Sequence, residues 1–130
     1  MTLKYKVVST RQPGKGKDGA ELWFPKLTGS TKIGQNEIAG EIQRRTTASR
    51  ADVQLVLTAL LDLMPELLLS GHTLHLDRFG TFRLHAKVET ESVPNSVTSK
   101  NIKALRLSFL PDKELKQKLQ NAKFSLARKK

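Results

Sequence analysis

Near the start of the chain, hydrophobic and polar positions alternate with a period of two. Leu3-Lys4-Tyr5-Lys6-Val7-Val8-Ser9 and Glu21-Leu22-Trp23-Phe24-Pro25-Lys26-Leu27 read as strands, joined by the glycine- and lysine-rich loop Arg11 to Gly19. Pro25 has no N–H to give to a ladder, so its strand belongs at an edge, and the pair is expected to form a hairpin appended to the main domain. The period then lengthens. Ile38, Ala39 and Ile42 predict a short helix over about Gln35 to Arg45, ending before the β-branched pair Thr46-Thr47. Ser49 is an N-cap with Asp52 three residues on, opening an apolar run to Ser70 that Gly71 stops as a C′ residue. On a wheel of about 100° per residue, Val53, Val56, Leu57, Leu60, Leu61, Leu63, Met64, Leu67 and Leu68 span roughly 160°, with Gln54, Thr58, Asp62 and Glu66 opposite. So wide a stripe must be covered on two sides, by the chain's own sheet and by a second copy of the chain. Pro65 predicts a kink or a separate final turn.

After Gly71 the period returns to two. His72 to Asp77 reads as a strand, Arg78-Phe79-Gly80 as a tight corner, and Thr81 to Val88 as a second strand. The latter places Phe82, Leu84, Ala86 and Val88 on one face and Arg83, His85 and Lys87 on the other. Glu89 to Lys100, containing Pro94-Asn95, has no core-forming pattern and is expected to project. A third strand over about Ile102 to Phe109 sets Leu105, Leu107 and Phe109 inward, with Arg106 and Ser108 outward. Pro111-Asp112 starts a final helix with Leu115 and Leu119 facing in. The fold class is α+β. The expected organisation is an extension over residues 1–32, a domain over 33–122 and a basic tail over 123–130.

Charge then narrows the partners. The 130 residues carry a formal net charge of +11, an excess that repels itself unless the partner is a polyanion. Residues 33–79 lean acidic, and the segments on either side are basic. Nucleic acid is the leading candidate, with an anionic membrane surface or a ribosomal role as rivals on composition alone. No run approaches the roughly 18 apolar residues a membrane span needs, and the amino terminus lacks an export-signal pattern, so a cytoplasmic location is expected. With no cysteine, disulfides, thiolate metal sites and cysteine nucleophiles are excluded. There is no nucleophile motif, no paired-acid spacing and no phosphate-cradling glycine loop, since Gly14, Gly16 and Gly19 lead into neither Gly-Lys-Ser/Thr nor a helix. His72 and His75 fall on opposite strand faces and, with His85, read as solvated. No enzyme activity, cofactor, metal or small-molecule substrate is expected.

Asp52-Val53 through Leu57, Leu60 and Leu61, then Gly71, Leu74 and Leu76, the corner Phe79-Gly80-Thr81-Phe82, and finally Phe109-Leu110-Pro111 resemble the bacterial histone-like HU/IHF family. Tyr5-Lys6-Val7 and Trp23-Phe24-Pro25 are similar to its longer, HU-related branch. The resemblance covers about residues 33–119 at family level and nearly the whole chain at branch level. It implies an intertwined homodimer, or a heterodimer with a paralogue, built from two amino-terminal helices, a three-stranded antiparallel sheet with a protruding β-arm and a carboxy-terminal helix. Its partner would be double-stranded DNA, bound with little sequence preference through the minor groove and phosphates, in a nucleoid-associated setting. Arg83, Lys87, Lys100, Lys103 and Arg106 fall on the stretches that face DNA in the family, and Pro94 and Asn95 fall near the arm tip. The family's Arg-Asn-Pro tip signature is absent here, where Glu91-Ser92-Val93-Pro94-Asn95-Ser96 stands instead. Pro94 is thus either a wedge between base pairs or a plain turn former. The departed tip also keeps open an HU-fold module that binds another protein, and composition keeps open RNA.

Overall fold

The computed structural model describes residues 2–11 and 20–127. In chain order the elements are β1 (Thr2–Arg11), β2 (Glu21–Leu27), α1 (Gln35–Arg45), α2 (Arg50–Leu69), β3 (Leu74–Leu76), β4 (Gly80–Val88), β5 (Ile102–Pro111), α3 (Lys113–Gln120) and β6 (Lys123–Leu126). They divide into two compact units, one of residues 33–117 and one of residues 1–32 with 118–130.

In the second of these units β1 and β2 pair antiparallel, as the alternation predicted, with Val7 opposite Pro25 and Ser9 opposite Trp23. Pro25 sits on an edge strand, because the sheet order is β2-β1-β6. Most of the expected loop, residues 12–19, lies outside the described residues, as do residues 128–130 of the expected tail. The tail's first four described residues are not a tail. Lys123–Leu126 forms β6, parallel to β1, with Leu3 opposite Phe124 and Tyr5 opposite Leu126.

In the unit of residues 33–117, α1 and α2 are latched through polar side chains. The Gln35 Nε2 group donates to Gln54 Oε1 at 3.0 Å and to Thr58 Oγ1 at 3.1 Å, and Gln54 Nε2 donates to Asn36 Oδ1 at 3.1 Å. The polar side of α2, opposite its leucine stripe, therefore serves partly as an α1 contact. Ser49 caps α2 by accepting from the Asp52 N–H at 3.1 Å. At the other end Gly71 has φ of +95°, its N–H bonds to the Leu68 carbonyl and the His72 N–H to that of Leu67. This is the six-to-one and five-to-two pair of a Schellman stop. The helix runs on through Pro65 with no separate final turn, which leaves the kink as the remaining expectation there. A proline forfeits only one ladder bond, and the Schellman pair anchors the turn that follows it.

Strand β3 pairs antiparallel with β4, and β4 with β5. The register sets Phe82 opposite Phe109, Leu84 opposite Leu107 and Ala86 opposite Leu105, so the expected apolar face exists. At the corner the Phe109 ring lies 5.1 Å from Phe79 and 4.9 Å from Phe82. Asp112 leads into α3, its N–H bonded to the Phe79 carbonyl and its own carbonyl to the Lys116 N–H. Leu115 is half-buried, whereas Leu119, expected to face in, is 61% exposed.

Among the described residues, the buried apolar side chains are Ala39, Val53 and Leu68. The stripe residues Val56, Leu61 and Leu63 are exposed, as are Leu105 and Leu107 on the sheet. The chain presents 11636 Å² of accessible surface, against about 6,900 Å² for a folded monomer of its mass, 14.5 kDa. Among the described residues, little apolar surface is fully buried within one copy.

Candidate nucleic-acid interface

The ribbon of β4 and β5 carries the polar side chains that alternation turned away from the apolar face. Arg83 stands opposite Ser108, His85 opposite Arg106 and Lys87 opposite Ala104, all on one face. His85 is held in place, since its Nε2 lies 2.8 Å from Ser108 Oγ, which in turn donates to the Arg83 carbonyl at 3.3 Å. The cross-strand pairs of this face include no carboxylate. Its cations thus meet an approaching anion without local competition.

Beyond Lys87 the ladder slips. Lys87 pairs with Ala104 but Val88 with Ile102, leaving Lys103 as the extra residue of a bulge. Its Nζ is 3.3 Å from Glu89 Oε2 across an exposed pair. The segment expected to project is organised rather than extended, as two short turns of 3₁₀ helix over Pro94–Ser96 and Ser99–Asn101. Asn101 is buried and ties the segment together. Its Nδ2 donates to the Glu89 carbonyl at 3.1 Å and to Glu91 Oε1 at 3.0 Å, while its Oδ1 accepts from the Thr98 N–H at 2.9 Å. The Glu89 N–H closes the loop by donating to the Asn101 carbonyl at 2.8 Å. Residues 89–100 are exposed, including Pro94 and Asn95 in the first turn and Lys100 in the second.

Of the residues singled out from sequence, Arg83, Lys87 and Arg106 therefore share one face. Lys103 stands apart at the bulge, and Lys100, Pro94 and Asn95 lie in the tip. Sequence reasoning gave no role to His85, Ser108 or Asn101. Alternation did place His85 and Ser108 on the right face, but only Thr98 is a local partner of Asn101, whose bonds to Glu91 and Glu89 reach 10 and 12 residues away. Elsewhere, His75 is not simply solvated, with Nε2 2.8 Å from Asp112 Oδ2 and Nδ1 3.4 Å from Asp77 Oδ1. No cluster of three or more His, Asp or Glu side chains suited to a metal ion occurs among the described residues. No helix among them is long and apolar enough to cross a membrane.

Two solved structures share the architecture. A protein from Bacteroides vulgatus ATCC 8482, assigned provisionally as a bacterial DNA binding protein, superposes with a TM-score of 0.68 at 12% identity over 96% of this chain and 47% of its own. This chain thus spans about half the length of that protein. The Anabaena HU–DNA cocrystal structure superposes with a TM-score of 0.54 at 20% identity, over 68% of this chain and 99% of the HU chain. No curated protein matches. The family model of the HU domain fused to wHTH, Ig or glycine-rich motif (HU-HIG) matches residues 1–126, and the chain belongs to that family.

Proposed function

We propose that this chain is an architectural double-stranded DNA-binding protein acting as a homodimer, whose two β4–β5 ribbons bind phosphates and the minor groove. The observation that carries the reading is the carboxylate-free ribbon face of Arg83, His85, Lys87 and Arg106. The dimer follows from the uncovered α2 stripe and sheet face, because apolar surface of this extent is stable in water only against a partner. A second copy supplies a complementary apolar surface by symmetry.

The tip supports the same reading. Its two acids are already engaged, Glu91 by Asn101 and Glu89 by Lys103, so they repel phosphate less than their number suggests. This weighs against the protein-interaction module that the acidic tip kept open. Pro94 and Asn95, exposed on a turn made firm by the Asn101 network, are the tip contacts with the minor groove. A wedge there trades unstacking for a bend that brings more phosphate to the protein. Lys100, Lys103 and the ribbon cations take the flanking phosphates, and a nucleoid-associated location follows.

Fluorescence anisotropy on a duplex of about 30 base pairs, titrated across salt, tests the reading. Binding that weakens linearly in log affinity against log salt is expected. Removing charge at Arg83, Lys87, Lys103 and Arg106 together lowers that slope by roughly 0.9 for each phosphate no longer neutralised. Absent or salt-indifferent binding contradicts the reading. Stronger competition by duplex RNA than by duplex DNA moves the partner to RNA.

A further inference from the structure

The register of the β2-β1-β6 sheet separates its two faces. Leu3, Val7, Trp23, Leu27, Phe124 and Leu126 share one face, where several of them line a groove with Tyr5 and Pro25. The other face carries Lys4, Lys6 and Val8 from β1, Leu22, Phe24 and Lys26 from β2, and Lys123 from β6, so its lysines stand among a few apolar side chains. Lys6 stands directly opposite Lys26, and Lys123, opposite Thr2, is diagonal to Lys4. All four lysines are exposed.

Like charges directly opposite on a sheet destabilise it, with Cβ atoms only about 5 Å apart. A face built for solubility alone mixes signs. Here the described residues of the face include no acid, since the register puts Glu21 on the other side of the pleat. Among the described residues no ion pair neutralises any of the four. Along β1 the repeat from Lys4 to Lys6 is about 7 Å, comparable to twice the axial repeat of phosphates along one DNA strand. Four ammonium groups without an ion-pair partner among the described residues, at such spacings, fit a polyphosphate backbone.

We propose that the Lys4–Lys6–Lys26–Lys123 face is a second phosphate-binding surface for duplex DNA, separate from the β4–β5 ribbon. The proposal rests on the DNA-binding reading above and extends it to the amino-terminal hairpin and β6. The lysines contact phosphates without reading bases, so the surface adds affinity and salt dependence but no sequence preference.

The test compares the full chain, a face variant (K4Q, K6Q, K26Q, K123Q) and a ribbon variant (R83Q, K87Q, R106Q) by anisotropy on duplex DNA across salt. The face variant should lose up to about 3.6 from the log–log salt slope, at roughly 0.9 per phosphate. The ribbon variant should lose its own share independently, and the two losses should add. A charge-preserving variant (K4R, K6R, K26R, K123R) should keep the slope. Relief of the Lys6–Lys26 repulsion predicts that the glutamine variant melts no lower than the parent. If it does unfold, the pairs K4Q with K123Q and K6Q with K26Q replace it, each losing about half as much slope. An unchanged slope in the face variant, with the ribbon variant impaired, overturns this proposal alone. A parent chain that binds no duplex overturns the DNA reading too. Loss of binding to phosphatidylglycerol vesicles or duplex RNA, with duplex DNA binding unchanged, overturns it in favour of that partner.

Discussion

At Gly80 a single added carbon decides whether the corner between β3 and β4 can close. A Cβ there would press into the Phe109 ring and lie 2.6 Å from the Leu110 carbonyl oxygen, so backbone as well as side chain would have to move. G80A should cost about 1–3 kcal/mol of stability, read as a lower denaturant midpoint. At Gly71 the obstacle is conformation instead of space, since nothing lies near its Cβ position but φ is +95°. G71A should cost about 1–2 kcal/mol by forcing a side chain into the left-handed region. Glu89 acts in the other direction. It shares Lys103 across a 3.3 Å exposed pair, so E89Q should free that cation and tighten duplex binding by about two-fold at low salt with little change in stability, as measured by anisotropy and thermal melting. The Ser49 cap and the Gly71 stop were legible in the sequence because capping is decided within a few residues. Asn101 was not, because its role depends on the path of the chain between it and Glu89 and Glu91.

Among the elements, the α2 stripe is the surface that the proposed dimer would bury. Leu61 is 54% exposed in the single chain, at one edge of the apolar arc. L61D should weaken self-association by about 100-fold, equivalent to about 3 kcal/mol, in a dilution series followed by sedimentation velocity. Periodicity revealed α1, α2 and the β4–β5 ribbon well, since each is long enough for its period to declare itself. It did not reveal β6. Four residues, Lys-Phe-Ser-Leu, are too few to show alternation, and their ladder partner on β1 lies at the far end of the sequence. At Pro65 the alternative of a separate final turn fails for a related reason, because a Schellman closure six residues later holds the last turn on the helix. In the candidate interface, alternation alone gathered Arg83, Lys87 and Arg106, while the bulge at Lys87/Val88 broke the parity that would have placed Lys103.

For the whole molecule, burial and charge pose one problem with one solution. A chain with three buried apolar side chains among its described residues and a net charge of +11 is short of both a core and a counter-charge. In the proposed reading a second copy supplies the first and duplex DNA the second, and the β4–β5 ribbon keeps its apolar and cationic faces separate to meet them. Sedimentation equilibrium of the free protein in dilute solution tests this most directly. A mass of twice the 14.5 kDa chain, persisting to low protein concentration, is expected. A stably folded species of one chain mass would contradict it, since the apolar stripe would then have found cover without a partner and no pair of ribbons would exist to hold the duplex.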